Sequence, residues 1–422
     1  MLKIFVCLLL FTIVTARSLR NNNKYIIVLR DGCGEGDMKY VMNEIQLYEG
    51  KQTEDLEMKC SKIIFPFITA VLSDNTVHKV SLLPVVDYIE KDQRVHMSPM
   101  ENTTTSKGPT FAGPTDGLQL STDRYNLDII NKPTDGCRNN EYDPPNDGTG
   151  ADIYIIDTGI NYDHADFKDS HGVTRAKYGG YDPIIPSKDG ADCNGHGSHC
   201  AGIAGGITSG VAKNANLYSI RVLDCSGSGW TSEIIGGLDH VAGRHEERHQ
   251  DADFVASIAS MSLGGGYSNA FNKAVNDVVG KGVFVVSASG NDGLDACNSS
   301  PGSATDSINV GASSEPIPGC ENPIAYFSNW GTCVDIIAPG VDIMSVDFSN
   351  NNDFTKFSGT SMACPHVAGA VALLLKNDKT LTPAEVKEMI SNGADDVDRS
   401  AMTPHIRNQS TSKRLYVPTN YS

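Results

Sequence analysis

The run Phe357-Ser358-Gly359-Thr360-Ser361-Met362-Ala363-Cys364-Pro365-His366-Val367-Ala368-Gly369 limits what this chain can fold into more than any other stretch. Small residues open it, and apolar ones carry it on through Leu375. Proline fits the first turn of a helix but not its interior, so Pro365 predicts a helix that starts close to Ser361. A helix that is apolar nearly all round belongs inside a domain. Ser361 then stands at a helix N-terminus, where unpaired backbone N–H groups and the helix dipole favour negative charge. A serine so placed can attack a carbonyl and have the resulting oxyanion held by backbone donors, or it can simply cap a buried helix. A base and an orienting acid elsewhere in the chain decide between the two.

Both residue types are present. Ala151 to Gly159 reads as a short β-branched strand that delivers Asp157 to its C-terminal end before a glycine turn. Carboxylates at that end of a parallel strand face the ligand crevice of an α/β sheet. Asn194-Gly195-His196-Gly197-Ser198-His199-Cys200-Ala201-Gly202 sets a histidine among glycines at a helix start. Taken together, Asp157-Thr158-Gly159-Ile160, the 194–202 run and the 359–369 run resemble the three signatures of the subtilisin-like serine proteases, in the proteinase K and aqualysin branch. The chain order Asp, His, Ser is that of the subtilisin triad. The resemblance covers roughly residues 120 to 420, with a matching prosegment before it.

What the resemblance implies can be stated by residue. The fold is expected to be α/β, a doubly wound and mainly parallel sheet, preceded by a small α+β propeptide domain. Asp157, His196 and Ser361 are expected to form the triad, and Asn291, in Ala288-Ser289-Gly290-Asn291, to donate its amide to the oxyanion. An isolated Asn before Asp292-Gly293 would otherwise read as a turn residue. His366 follows Ser361 on the same helix and cannot readily turn back to it, and His199 lies one turn inside its own helix, where a structural role is commoner. Gly227, Ser228 and Gly229, within Ser226–Trp230, and Ser262, Leu263, Gly264 and Gly265 match the two segments that clamp a peptide as an added strand. Glycines there let a substrate backbone approach while pockets read alternate side chains. No acidic residue falls in these segments, so cleavage after apolar or aromatic residues is expected, with Trp230 either narrowing an outer pocket or sitting in an exposed turn.

Cys193 with Cys225 and Cys297 with Cys333 match the two disulfides of aqualysin-type enzymes, and Cys200 matches a buried free thiol. Cys364 departs from the family, and the pairing of Cys33, Cys60, Cys137 and Cys320 stays open. Asp335 aligns with the carboxylate of a structural calcium site that the backbone carbonyls of Thr305 and Ser307 would complete. A lone Asp before a strand is otherwise a solvated charge.

Taken from its start, the chain opens with Met1-Leu2-Lys3 and an apolar run from Ile4 to Val14, too short to span a bilayer, which needs about 20 residues. It reads as a secretory signal over residues 1–16, cleaved near Ala16. Secretion would permit disulfides among the 11 cysteines. Residues 17–97 resemble an inhibitory propeptide, with strands at Lys24–Leu29, Ile68–Leu72 and Val85–Glu90. Residues 98–122 form a linker with the maturation site, placed at 97–100 with a further trim before Arg124. Residues 123–422 form the peptidase domain, with no membrane anchor after it. Strands are predicted at Asp152–Asp157, Leu217–Val222, Phe254–Leu263, Val283–Ser287 and Ile308–Ala312. Helices are predicted after His196, at Ser232–Val241, Asn269–Val279 and Ser361–Lys376, and after the capping box Thr382-Pro383-Ala384-Glu385. Glycosylation sequons stand at Asn102, Asn298, Asn408 and Asn420.

A net charge of −17 argues against nucleic acid or an anionic membrane as partner. The reading is therefore a secreted serine endopeptidase made as a self-processing zymogen, working as a monomer on peptides, with its own propeptide as inhibitor and no catalytic cofactor. A silent family member would be expected to lack one of the four catalytic residues. An aspartic protease would need a second Asp-Thr-Gly and a Ser or Thr where Ile160 stands.

Overall fold

The computed structural model describes residues 23–51, 59–61, 63–97, 101–103, 119–120, 124–131, 141–315, 323–392, 395–396, 410–411 and 413–418. The signal segment, Cys137, Cys320, Asn408, Asn420 and most of the linker lie outside the described residues, as do the side chains of Cys60 and Asn102. The chain divides into two units, Met1–Gln93 and Arg94–Ser422.

In the first unit, β1 (Lys24–Leu29), α1 (Glu35–Glu49), β2 (Lys59–Ser61), β3 (Phe67–Val71), α2 (Asp74–Ser81) and β4 (Val86–Lys91) follow one another. The sheet order is β2-β3-β1-β4, with β1 antiparallel to both neighbours. Met38, Val41 and Ile45 from α1 and Val80 from α2 pack with Ile27, Leu29 and Ile68 of the strands. This is an α+β unit, as expected before the linker, and it is set off from the rest of the chain after Gln93. Residues 94–97 belong to the second unit because their backbone is paired there. Cys33 is a free thiol, so it makes no bridge to Cys60.

The second unit opens with β5 (Arg94–Met97) and β6 (Glu101–Thr103). The α/β body then runs β7 (Ala151–Asp157), β8 (Ala176–Tyr181), α3 (His196–Gly205), β9 (Asn216–Arg221), β10 (Ser228–Trp230) and α4 (Thr231–Arg248). It continues with β11 (Ala256–Met261), β12 (Leu263–Gly266), α5 (Asn269–Gly280), β13 (Phe284–Ala288), β14 (Ser299–Ser300), β15 (Ile308–Ser313) and β16 (Ile336–Pro339). β17 (Ile343–Val346), β18 (Phe354–Ser358), α6 (Thr360–Asn377), α7 (Pro383–Asn392), β19 (Asp395–Asp396) and β20 (Lys413–Arg414) complete it. The main sheet has the order β8-β9-β7-β11-β13-β15-β16-β20-β19, parallel except for β19 at its edge. After β7 the chain builds β8 and β9 on one side and then crosses to β11 on the other, so Asp157 ends a strand at the switch point where such sheets bind ligands. All seven residues of β7 are buried, as expected of a strand covered on both faces.

α6 is the predicted central helix, with every residue from Thr360 to Leu375 buried. It packs on α3 and on β11, β13 and β15. Pro365 is its sixth residue, one position deeper than the predicted start at Ser361 gave and past the first turn. The N–H that proline lacks would have bonded to the Ser361 carbonyl. That carbonyl accepts instead from Ser262 Oγ at 2.8 Å and from Cys200 Sγ at 3.4 Å, which is how the position tolerates proline.

Other boundaries moved for identifiable reasons. The single strand expected over Phe254–Leu263 breaks at Ser262, where β12 leaves the main sheet for a smaller one. α4 runs on past Val241 to Arg248, whose Nε donates to Asp152 at 2.8 Å. The Thr382 capping box forms as predicted, with Glu385 accepting from Thr382 N–H at 2.8 Å and Thr382 Oγ1 from Glu385 N–H at 3.3 Å. Cys193–Cys225 and Cys297–Cys333 are bridged, closing loops of 32 and 36 residues, worth about 3–4 kcal/mol each on the chain-entropy model. Among the described residues, no helix is long and apolar enough to cross a membrane.

Because Leu373 is fully buried in α6, Leu373→Ala in a Ser361→Ala background should lower unfolding stability by about 2–5 kcal/mol. Urea titration followed by fluorescence measures this, and a loss under 1 kcal/mol would mean that the helix is less tightly enclosed than its burial indicates.

Candidate active site

Three elements carry the predicted residues, and two of the side chains are in contact. β7 ends on Asp157, α3 begins with His196, and α6 carries Ser361 in its first turn. His196 Nδ1 lies 2.8 Å from both oxygens of Asp157, and both side chains are fully buried. The approach depends on glycine: a Cβ at Gly197 would come within 2.2 Å of the Gly159 carbonyl. Burial disfavours the imidazolium, but the charge and hydrogen bond of Asp157 outweigh it and hold the pKa of His196 well above its ordinary value. With Nδ1 donating to Asp157, Nε2 is left as the basic nitrogen, and it is buried without a hydrogen-bond partner. Ser361 Oγ donates to the Ser262 carbonyl at 3.2 Å.

The other two histidines are structural. His366 Nδ1 donates to the Met362 carbonyl at 2.8 Å, and its Nε2 accepts from Asn126 Nδ2 at 2.8 Å. His199 Nε2 donates to the Thr355 carbonyl at 3.1 Å. Burial lowers their pKa values to about 4 and about 3, so both stay neutral at any working pH.

Asn291 stands beside the helix start. Its Oδ1 accepts from Thr360 N–H and from Thr360 Oγ1, each at 2.8 Å, while Thr360 Oγ1 accepts from Gly290 N–H at 3.2 Å. With the oxygen tied down, the amide nitrogen has a fixed direction. Gly359 makes room for it, since a Cβ there would lie 3.0 Å from Asn291 Nδ2.

Two bracing residues escaped the sequence reading. Asp192 Oδ2 accepts from Ser198 N–H at 3.0 Å and Ser198 Oγ at 2.6 Å. Its Oδ1 accepts from Thr158 Oγ1 at 3.0 Å and from the N–H groups of Asn194 and Gly195 at 2.9 and 3.0 Å. One carboxylate thus ties the turn after Asp157 to the start of the His196 helix. An Asp just before a predicted helix start was the available signal. Thr360, inside the quoted motif, was the second.

Cys200 is a buried free thiol, pushed up in pKa by burial, with Sγ 4.0 Å from His196 Nδ1. Ligand atoms of Asp157, His196 and Cys200 lie within 4.8 Å of one another. Cys364 is also free and buried, its Sγ 3.4 Å from the Val286 carbonyl against the sheet.

The two segments expected to clamp a peptide hold the chain's own β5. Trp230, Gly229 and Ser228 pair antiparallel with Arg94, Val95 and His96, while Leu263 and Gly264 pair with Met97 and His96. Met97 N–H donates to the Gly227 carbonyl at 2.9 Å. Trp230 faces Arg94, whose guanidinium lies 4.8 Å from the ring centroid. Beyond residues 98–100, β6 pairs with β18, the strand that leads through Gly359 into Ser361. A cavity of about 460 Å³ opens beside Met97, walled by Gly264, Gly265, Ala288, Ser289 and Gly290 and reaching Asn291. Its one acidic lining residue is the exposed Asp292.

The calcium donors also converge, but on a side chain of this protein. Lys387 Nζ donates to the carbonyls of Thr305 and Ser307, both at 2.8 Å, and lies 3.0 Å from Asp335 Oδ2. Asn298 is exposed, as a glycosylation acceptor must be.

The subtilase family model matches residues 148–412. The chain is 40% identical over 311 residues to "Alkaline serine exoprotease A" of Vibrio alginolyticus, covering 74% of this chain and 52% of that protein. It is 34% identical over 383 residues to a "Cuticle-degrading serine protease" of Arthrobotrys oligospora, covering 88% and 86%. The solved structure of a cold adapted subtilisin-like serine proteinase matches with a TM-score of 0.61 at 39% identity, over 70% of this chain and 99% of that one. The chain spans about half to three fifths of the length of the first relatives, including 62% of "Alkaline protease 2" of Aspergillus fumigatus.

If Asn291 Nδ2 serves the oxyanion, Asn291→Ala should lower kcat by about 10²–10³ and leave KM nearly unchanged, because that bond forms mainly in the transition state. Steady-state kinetics on a chromogenic peptide decides this; a rise in KM at constant kcat would instead make Asn291 a ground-state contact.

Proposed function

Because the chain belongs to the subtilase family, we propose that it is a secreted serine endopeptidase, made as a zymogen that processes itself. The observation that carries this reading is the buried Asp157–His196 pair at the switch point of the sheet, together with a groove already filled by a peptide strand.

In the proposed reaction a substrate takes the place of β5 between β10 and β12, and its scissile carbonyl comes to rest over Ser361. Oγ turns from the Ser262 carbonyl to His196 Nε2, gives up its proton and attacks. Asp157 steadies the imidazolium that forms, and the oxyanion receives the Ser361 N–H and the Asn291 amide. His196 then protonates the departing amine, and water completes the cycle through the acyl-enzyme. The cavity beside Met97 has small, uncharged walls apart from Asp292 at its exposed edge, which supports a preference for apolar or aromatic side chains at the cleaved residue.

The same geometry supports self-processing. The chain is paired with β12 before residues 98–100 and, after them, with β18, the strand that leads into the helix of Ser361. A peptide bond tethered there has a very high effective concentration. The freed strand would stay in the groove as a product-like inhibitor until degraded. Secretion is supported by the leader-like start and by two disulfides, which belong to oxidising compartments.

A sulfonyl fluoride should label Ser361 alone among the serines and abolish activity. Ser361→Ala should be secreted at the size of residues 17–422, whereas wild type should yield a species starting between Ser98 and Arg124. Mass spectrometry and N-terminal sequencing check both; processing of purified Ser361→Ala in the absence of other proteases would refute self-cleavage.

The pH profile follows from His196, which must be neutral to act as base. Activity should therefore fall as pH drops through a pKa above 6.5. Asp157→Asn removes the charge that raises this pKa, so the acid limb of kcat/KM should move to lower pH while kcat falls by about 10⁴. An acid limb that stays in place would show that another group controls it.

A further inference from the structure

The loop before β15 turns its carbonyls at Thr305 and Ser307 toward one point, and Asp335, just before β16, adds a carboxylate oxygen. Three hard oxygen donors facing one centre make a cation site. An ammonium carries three N–H donors, and Lys387 sets one against each oxygen, at 2.8, 2.8 and 3.0 Å. These are hydrogen-bond lengths, longer than the roughly 2.3–2.6 Å of calcium–oxygen bonds. The site is anchored on all sides. Asp335 Oδ2 also accepts from Asn309 N–H at 2.8 Å, while Asn276 bonds to both Thr305 Oγ1 and Asp306 N–H. Lys387 reaches in from α7, whose Val386 and Ile390 are buried in the main core. The donor set expected to hold calcium therefore does not fit a free ion while Lys387 is in place, because each donor already faces a resident positive charge.

We propose that Lys387 is a built-in replacement for a structural divalent cation, clamping the starts of β15 and β16 to α7 without metal. The positive charge is covalently tethered, so it cannot be diluted or chelated away. Lys387 and Asp335 side chains are 26% and 19% exposed, so removing the lysine opens the oxygens to ions from solution. The lysine thus hides a latent calcium site, which its loss would reveal.

The test uses the full chain carrying Ser361→Ala, so that autolysis does not intervene, and its readout does not depend on proteolytic activity. Calcium bound per chain is counted by calorimetry, and the melting temperature is followed in EDTA and in millimolar calcium. Lys387→Ala should melt several degrees lower in EDTA, recover in calcium, and bind one calcium more than its parent. Adding Asp335→Asn to it should abolish both the recovery and the extra ion. Asp335→Asn alone, with Lys387 present, should bind as many calcium ions as the parent. The proposal is overturned if that single variant binds one ion fewer, since calcium would then displace Lys387 in solution. It is also overturned if neither Lys387→Ala nor the bulkier Lys387→Met, made in case the first folds poorly, gains an ion or a calcium-dependent melting temperature.

Discussion

A helix buried on every side has to be enclosed before anything else in the domain can be placed, and α6 imposes that constraint here. Its sixteen consecutive buried residues, Thr360 to Leu375, leave no face for solvent. The sheet covers it from one side and α3 from another. The positions of Asp157 and His196 follow from that enclosure, because the strand and helix that carry them are the ones that pack around α6. The geometry of the candidate site is in this sense a by-product of core packing. The three residues sit on elements that apolar burial has already fixed, and only short polar bonds are needed to aim them.

Those bonds are dense around the site. Asp192 joins the end of one element to the beginning of the next, Thr360 turns Asn291, and Ser262 holds the backbone of Ser361. Each brace is a side chain bonded to neighbouring backbone or to a single polar partner, so each depends on the surrounding chain being rigid. Buried polar groups in such numbers cost stability unless every one is matched. Matching them closely is what gives the site one arrangement rather than several.

How much of this was readable in advance depended on how far apart in the chain the interacting residues lie. Asp157, His196 and Ser361 each stand in a run of consecutive small and apolar residues, and the local backbone geometry those runs impose leaves its mark in the sequence itself. The central helix and the parallel strands were legible for the same reason. Asp192 was less so, because its five bonds show only once the turn has closed. β5 could not be read from its own residues: Arg94-Val95-His96-Met97 becomes a strand only by virtue of β10 and β12, both more than a hundred residues away, and only the resemblance to an inhibitory propeptide placed the end near Met97 in the cleft. Lys387 was the hardest case. In Ala384-Glu385-Val386-Lys387-Glu388 it reads as an ordinary solvent-facing lysine, and nothing local announces the oxygens waiting for it. The aligned carboxylate at Asp335 pointed to the place where these oxygens converge, but not to the lysine that reaches them.

Pro365 makes the attachment of Ser361 unusual. A serine in a regular helix is held chiefly by the ladder of its own turn, so its backbone drifts whenever that turn frays. Here the rung that should leave Ser361 is missing, and its carbonyl is fastened outward to Ser262, where the chain leaves the central sheet, and to Cys200, one turn along from His196. Ser361, α3 and the chain leaving the sheet are thereby riveted at one oxygen. Thermal breathing of the first turn of α6 would carry these parts together, which preserves their mutual spacing even while their common position fluctuates.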